Sequence, residues 1–215
     1  MLKDVVFNNQ KSAYDDWNIV LTKAEIPLPV PKTSVVDIKG ADGSLDLSEV
    51  VTGDITYKNR VVKLTFEMLN DVDYDTLISD ISNYLHGKNV TFTFNTDEDY
   101  YYKGRATINS WECVKRKGKI VLTIDCDPYK YLVLESVFIL NLNNETKKIA
   151  LPNQRKKVSP TLTVSGDITL IYDGVEYQLN GGEQQVLGFQ LLESVTVVEF
   201  RGNGAVKIQY RQGCL

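Results

Sequence analysis

Arg105-Ala106-Thr107-Ile108-Asn109-Ser110-Trp111-Glu112-Cys113-Val114, then Lys115-Arg116-Lys117-Gly118, then Lys119-Ile120-Val121-Leu122-Thr123-Ile124-Asp125-Cys126 is the stretch that decides the fold class. Two β-type runs flank a short basic tip that contains a glycine, which is the pattern of a hairpin with its turn in water. A like-charged tip discourages edge-to-edge pairing, so it reads as a solvated turn before it reads as a binding patch. On either side the same texture continues. Val61-Val62-Lys63-Leu64 runs on into Thr65-Phe66-Glu67-Met68, and Val90-Thr91-Phe92-Thr93-Phe94 alternates strictly, as half-buried strands do.

One helix interrupts the strands. Between Tyr74 and His86, Leu77, Ile78, Ile81, Tyr84 and Leu85 fall on one stripe of a 3.6-residue period. Asp73 stands where a carboxylate can accept from the first free N–H groups, Asp75 lies at the positive end of the helix dipole, His86 at the negative end, and Gly87 follows. Before the helix, Ile26-Pro27-Leu28-Pro29-Val30-Pro31 places proline at alternate positions, so an extended edge path is expected and a central strand is excluded. Two glycine-bearing turns then enclose the alternating Leu45/Leu47 piece, which suggests a protruding arm or hairpin over Gly40–Thr56.

After Asp125-Cys126-Asp127-Pro128-Tyr129-Lys130-Tyr131 the helical period disappears. Residues 132–215 hold 8 basic and 8 acidic residues, so the chain's formal charge of −4 falls on residues 1–131. The expectation is a first domain over 1–131, a linker over 132–145 and a small β-sandwich over 146–215. Asp173-Gly174, set between Leu170-Ile171-Tyr172 and Val175-Glu176-Tyr177, is a two-residue hairpin signal. Phe138, Tyr172, Tyr177, Phe189, Phe200 and Tyr210 stand at strand spacing, where burial accounts for them more simply than a sugar-stacking platform does.

Composition narrows the function. With 24 basic against 28 acidic residues the chain lacks the basic balance of a nucleic-acid clamp. No apolar run reaches the length of a membrane span or a signal peptide, so synthesis in the cytoplasm is expected. His86 is the single histidine, and Cys113, Cys126 and Cys214 form no C-x-x-C pair, so neither a nucleophile–histidine arrangement nor a zinc site is legible. Asp97-Glu98-Asp99 could stand for the paired carboxylates of a glycosidase, but consecutive acids between two strands read more simply as a solvated turn. No catalytic residue, metal or cofactor is assigned.

An ordered series of pieces carries a resemblance. It comprises Phe7-Asn8 with Ser12-Ala13-Tyr14-Asp15-Asp16-Trp17, Val36-Asp37-Ile38 with Gly40-Ala41-Asp42-Gly43-Ser44-Leu45-Asp46-Leu47, and Tyr57-Lys58-Asn59-Arg60. It continues with Ile81-Ser82-Asn83-Tyr84-Leu85-His86-Gly87-Lys88, Tyr101-Tyr102-Lys103-Gly104-Arg105 and Asp125-Cys126-Asp127-Pro128-Tyr129-Lys130. Together these span about residues 1–131, and the chain resembles the distal tail protein family of long-tailed, non-contractile bacteriophages and their prophages.

The resemblance implies a mainly β fold, in which an N-terminal β-sandwich with one flanking helix and an extended arm precedes a galectin-like or carbohydrate-binding-module-like sandwich. It implies a hexameric ring, single or as two stacked rings, at the virion tail tip. Its partners would be the tail tube and tail-tip or baseplate proteins, including a tail-associated lysin or receptor-binding protein, and DNA would pass through its channel without specific binding or membrane contact. A ring made by one protein needs a head-to-tail interface, and Gly40, Asp42, Gly43, Ser44, Leu45, Leu47 and Gly53 are the candidate self-assembly arm. Asp37, Asp42, Asp46, Glu49 and Asp54 are candidate channel-facing acids that would repel phosphates. The alternative function is a peripheral carbohydrate-binding module for attachment to the host cell wall.

Overall fold

The computed structural model describes residues 4–69, 73–114 and 117–215, and the chain divides into two compact units, residues 1–130 with Leu215 and residues 131–214. The first unit contains β1 (Val5–Phe7), β2 (Lys11–Ser12), β3 (Ile19–Glu25), β4 (Pro31–Lys32), β5 (Val35–Asp37), β6 (Ser44–Asp46), β7 (Thr56–Tyr57), β8 (Arg60–Met68), α1 (Tyr74–Leu85), β9 (Asn89–Phe94), β10 (Tyr100–Val114) and β11 (Lys117–Cys126). Its main sheet runs β2-β1-β9-β10-β11-β8-β3, with every neighbour antiparallel. The hairpin of residues 105–126 is its centre. The Lys115-Arg116 part of its tip lies outside the described residues.

Three strands separate β1 from β8, which in a flat sheet would put them roughly 19 Å apart at about 4.8 Å per strand. The rings of Phe7 and Phe66 nevertheless meet at 6.4 Å, so the sheet curls into a sandwich-like shell over its own core. Alternation causes this: Val62, Leu64 and Phe66 on β8, and Ile120, Leu122 and Ile124 on β11, all point inward and are buried. Helix α1 lays Leu77, Ile78, Ile81 and Leu85 on the same core.

Both helix ends differ from expectation. Asp73 makes no side-chain bond to the free N–H groups; its carboxylate accepts from the Thr76 hydroxyl at 2.6 Å, which pulls its pKa below the usual carboxylate range. The helix stops at Leu85, and His86, the capping residue, turns its ring away from the last carbonyls so that Nδ1 accepts from the Ile108 amide at 3.1 Å. A neighbouring strand edge with an amide to satisfy outcompetes the weak pull of the dipole.

The second unit contains β13 (Ser136–Asn153), β14 (Thr161–Tyr172), β15 (Val175–Leu179), β16 (Gly182–Gln184), β17 (Ser194–Tyr210) and β18 (Gly213–Cys214), with β12 (Lys130–Leu132) at the division. The linker expected over 132–145 is corrected here, because residues 136–145 are the first half of β13, paired with Tyr210 to Gly202 of β17. The asparagine-rich composition that resembles a connector belongs to the outward positions, while Phe138, Leu140 and Leu142 face the core.

Three long strands of this unit break at one line. β13 carries a bulge at Asn144, β17 has Gly202 and Gly204, and β14 has Gly166, whose register partner is Gly204. A Cβ on Gly204 would strike the Ser165 carbonyl oxygen, one on Gly202 the Asp167 carbonyl oxygen, and one on Gly166 the Asn203 carbonyl oxygen. The sheet therefore folds along this line, and residues on both sides of it, Leu162 with Leu170 and Phe200 with Ile208, join one core. Asp173 and Gly174, at φ 50° and 73°, form the tight turn between β14 and β15.

Candidate assembly surface

Past β3 the chain leaves the core. No member of the first unit's buried apolar cluster lies between Leu21 and Val62. Instead the segment pairs with itself twice. At its root β4 meets β7 through Pro31↔Tyr57 and Lys32↔Thr56, and farther out β5 meets β6 through Val35↔Asp46, Val36↔Leu45 and Asp37↔Ser44. Between the ladders the Ser34 amide donates to the Ser48 hydroxyl at 2.8 Å and the Leu47 amide to the Ser34 carbonyl at 2.7 Å. Gly40 and Gly43, with φ of 88° and 76°, turn the chain at the tip, where open space surrounds both. The arm thus spans residues 31–57, with the proline-rich stretch as its approach, and is longer than the Gly40–Thr56 read from sequence.

Its surface is apolar for an exposed hairpin. Val35, Val36, Ile38, Leu45 and Val50 are about half exposed or more, and Val51 is 94% exposed. Apolar side chains concentrated on a projection that reaches no core of its own make it a candidate interaction surface.

The same arm is strongly acidic. Residues 31–57 hold Asp37, Asp42, Asp46, Glu49 and Asp54 against Lys32 and Lys39. Three of the acids stiffen the turns: Asp37 accepts from the Ser44 hydroxyl at 2.5 Å, Asp54 from the Ile55 amide at 2.8 Å, and Asp46 from both the hydroxyl and the amide of Ser48. The Ser48 hydroxyl, then its amide, holds the Asp46 carboxyl below its ordinary range. Asp42 and Glu49 stand exposed at the outer turns. The seven arm residues and the five acids read from sequence are therefore brought together on one element. Val35, Val36, Val50 and Val51 went unread, although apolar residues next to a proline-broken stretch were the available signal.

At the foot of the arm Arg60 is 4% exposed, with its guanidinium 4.9 Å from the Tyr102 ring centre, and it sits across the ladder from Cys126. Burial pushes the Cys126 thiol up to about 12, while the Arg60 charge pulls the other way. The rings of Tyr57 and Tyr129 meet edge to face at 6.0 Å beside the returning strand.

Elsewhere, the acids of Asp97-Glu98-Asp99 form the turn between β9 and β10, where Asp97 binds the Lys130 ammonium at 2.6 Å. In the second unit Phe189, Phe200 and Tyr210 are buried, and Phe138, Tyr172 and Tyr177 pack against that core. A concavity of about 440 Å³ is lined there by Glu135, Lys156, Thr161, Glu183 and Arg211, among others. No helix among the described residues is long and apolar enough to cross a membrane.

No protein-family model matches the chain, and no curated protein matches it by sequence. Its fold is similar to a solved structure, the crystal structure of the SPP1 Dit (gp 19.1) protein, described as a paradigm of the hub adsorption apparatus in phages that infect Gram-positive bacteria. The two superpose over 100% of each chain with a TM-score of 0.70 at 15% identity. The likeness establishes the fold along the whole chain, both units included.

Proposed function

We propose that this chain is a structural subunit of a phage tail tip, and that six copies close head to tail into a ring between the tail tube and the adsorption apparatus. The observation that carries this reading is the end-to-end fold likeness to a hub adsorption protein. The arm supports it independently, since a preformed hairpin with exposed valines and leucines is suited to pairing with a second copy. In this reading the ring works by shape: it leaves a passage for DNA, holds tail-tip proteins at its rim and needs no reacting group. The second unit supplies a docking surface. Its aromatic side chains are spent on its core, which favours docking over sugar stacking.

Electron microscopy of the purified chain, together with its mass by light scattering, tests the reading. Six-fold rings with six times the 24.3 kDa chain mass are expected. Monomers at every concentration, alone and with the tail-tube protein added, would overturn it.

A further inference from the structure

We propose that the first half of β13, residues 136–143, is a self-pairing edge, which joins the same strand of a second copy, antiparallel, about a two-fold axis at Ile139. This contact is separate from the head-to-tail contact of the ring and does not rest on it. The edge is open, since β13 lies at the end of its sheet with β17 as its only strand neighbour among the described residues. Natural edges are shielded by charge, proline, bulges or shortness. The other edges of this unit follow that rule: β15 and β16 are five and three residues long and carry Glu176 and Glu183. So does the second half of β13, with Glu145, Lys147, Lys148 and Pro152 beyond the bulge at Asn144. The first half has none of these devices. From Ser136 to Asn144 there is no charged residue and no proline.

The same half is apolar where it meets solvent. The polar outward positions begin at Asn141; before them Val137 and Ile139 are 45% and 67% exposed, and Leu134, just ahead of the strand, is 80% exposed. An added strand satisfies both the free backbone groups of such an edge and its uncovered apolar side chains.

Charge selects a second copy as the occupant. A charged strand would bring its charge against an apolar edge, whereas the chain's own copy carries the same uncharged run. Antiparallel pairing centred on Ile139 sets Ile139 against Ile139, Phe138 against Leu140, Val137 against Asn141 and Ser136 against Leu142, with Glu135 opposite Asn143. No like charges oppose each other. Lys207, across the ladder from Ile139, lies three strand spacings from its own copy, roughly 14 Å at about 4.8 Å each, beyond the screening length of about 8 Å in physiological salt. The Lys147 ammonium, which donates to the Asn141 carbonyl at 2.8 Å, belongs to a half-exposed side chain that a pairing strand displaces. An isologous contact of this kind closes at two copies and leaves neither of the two half-edges free.

Oxidation of Ile139→Cys, in a chain carrying Cys113→Ser and Cys214→Ser with Cys126 left buried, tests the register. Directly opposed Cα atoms of an antiparallel pair lie about 4.5–5.5 Å apart, within reach of a disulfide. A covalent dimer of twice the 24.3 kDa chain mass is expected from Ile139→Cys, none from Val137→Cys alone, and one again from Val137→Cys combined with Asn141→Cys. Folded Ile139→Cys that gives no covalent dimer, or Val137→Cys that dimerises as readily, overturns the proposal. In sedimentation, Ile139→Lys and Ile139→Glu, each alone, should weaken the doubling of mass roughly tenfold or more without moving the melting transition, and an equimolar mixture of the two should restore it. A mixture no better than either variant, or a wild-type chain whose mass never doubles, also overturns the proposal. Either result leaves the ring reading intact, because the head-to-tail contact does not use this edge.

Discussion

The arm and the second unit are both built from strands and glycine turns, yet their glycines serve opposite ends. Around Gly40 and Gly43 there is nothing for a side chain to strike, and the glycines only supply a left-handed turn in water. Around Gly166, Gly202 and Gly204 the backbones of facing strands are already in contact, and a methyl group has nowhere to go. One region stands in solvent with its apolar side chains uncovered, the other folds a sheet onto itself. Sensitivity to mutation should follow burial, and not glycine content.

The largest effect that would sharpen this contrast is expected from Gly204→Ala, which drives a Cβ into the Ser165 carbonyl and forces apart the three strands at their fold line. A loss of about 3–5 kcal/mol or outright failure of the second unit to fold is expected in denaturant titration. A loss under about 1 kcal/mol would mean that the fold line yields easily.

Next comes the alkaline behaviour of the same unit. Burial pushes the Tyr210 hydroxyl up to about 12 from an unfolded value of 10.0, and the hydroxyl donates to the Pro152 carbonyl at 2.6 Å. Because folding favours the neutral phenol, its contribution is complete below about pH 10 and disappears as pH rises toward 12. Roughly 2 kcal/mol should be lost over that interval. Tyr210→Phe should be less stable at pH 7 by about 1 kcal/mol and should flatten that part of the alkaline limb.

Arg60→Met comes third. The Nε and Nη2 atoms of this buried guanidinium make no hydrogen bond among the described residues. Replacing a buried charge by an apolar chain of similar length is expected to leave the melting temperature unchanged or raise it slightly. A loss of several degrees would show that the contact with Tyr102 outweighs desolvation.

The smallest effect belongs to the arm. Leu45→Ser with Val51→Ser should change stability by less than about 0.5 kcal/mol, since neither side chain reaches a core. The same pair should impair assembly. A large stability loss in the monomer would break the comparison, because it would make the arm part of the fold.

Much of the first unit was legible because each signal is local. The alternation in Val90–Phe94, the stripe from Leu77 to Leu85 and the glycine turns at 40 and 43 all have short periods. The approximate extent of the arm was legible for the same reason. Residues 136–145 misled, because the outward positions of a long edge strand are polar, and composition alone does not separate them from a connector. The cap at Asp73 misled because the Thr76 hydroxyl, three residues on, competes for its carboxylate, and the cap at His86 because the Ile108 amide is a competitor that only the folded chain brings within reach.

By itself, the amino-acid order determined that this would be a β protein with one helix, an acidic projecting hairpin and a tight Asp173-Gly174 turn, because each follows from periodicity and turn chemistry within a few residues. Only tertiary structure decided that Phe7 meets Phe66 across a curled sheet, that Gly166 shares one fold line with the distant Gly202 and Gly204, and that the arm's valines find no core. Those outcomes depend on which strands become neighbours, and strand order is set by the burial of the whole chain.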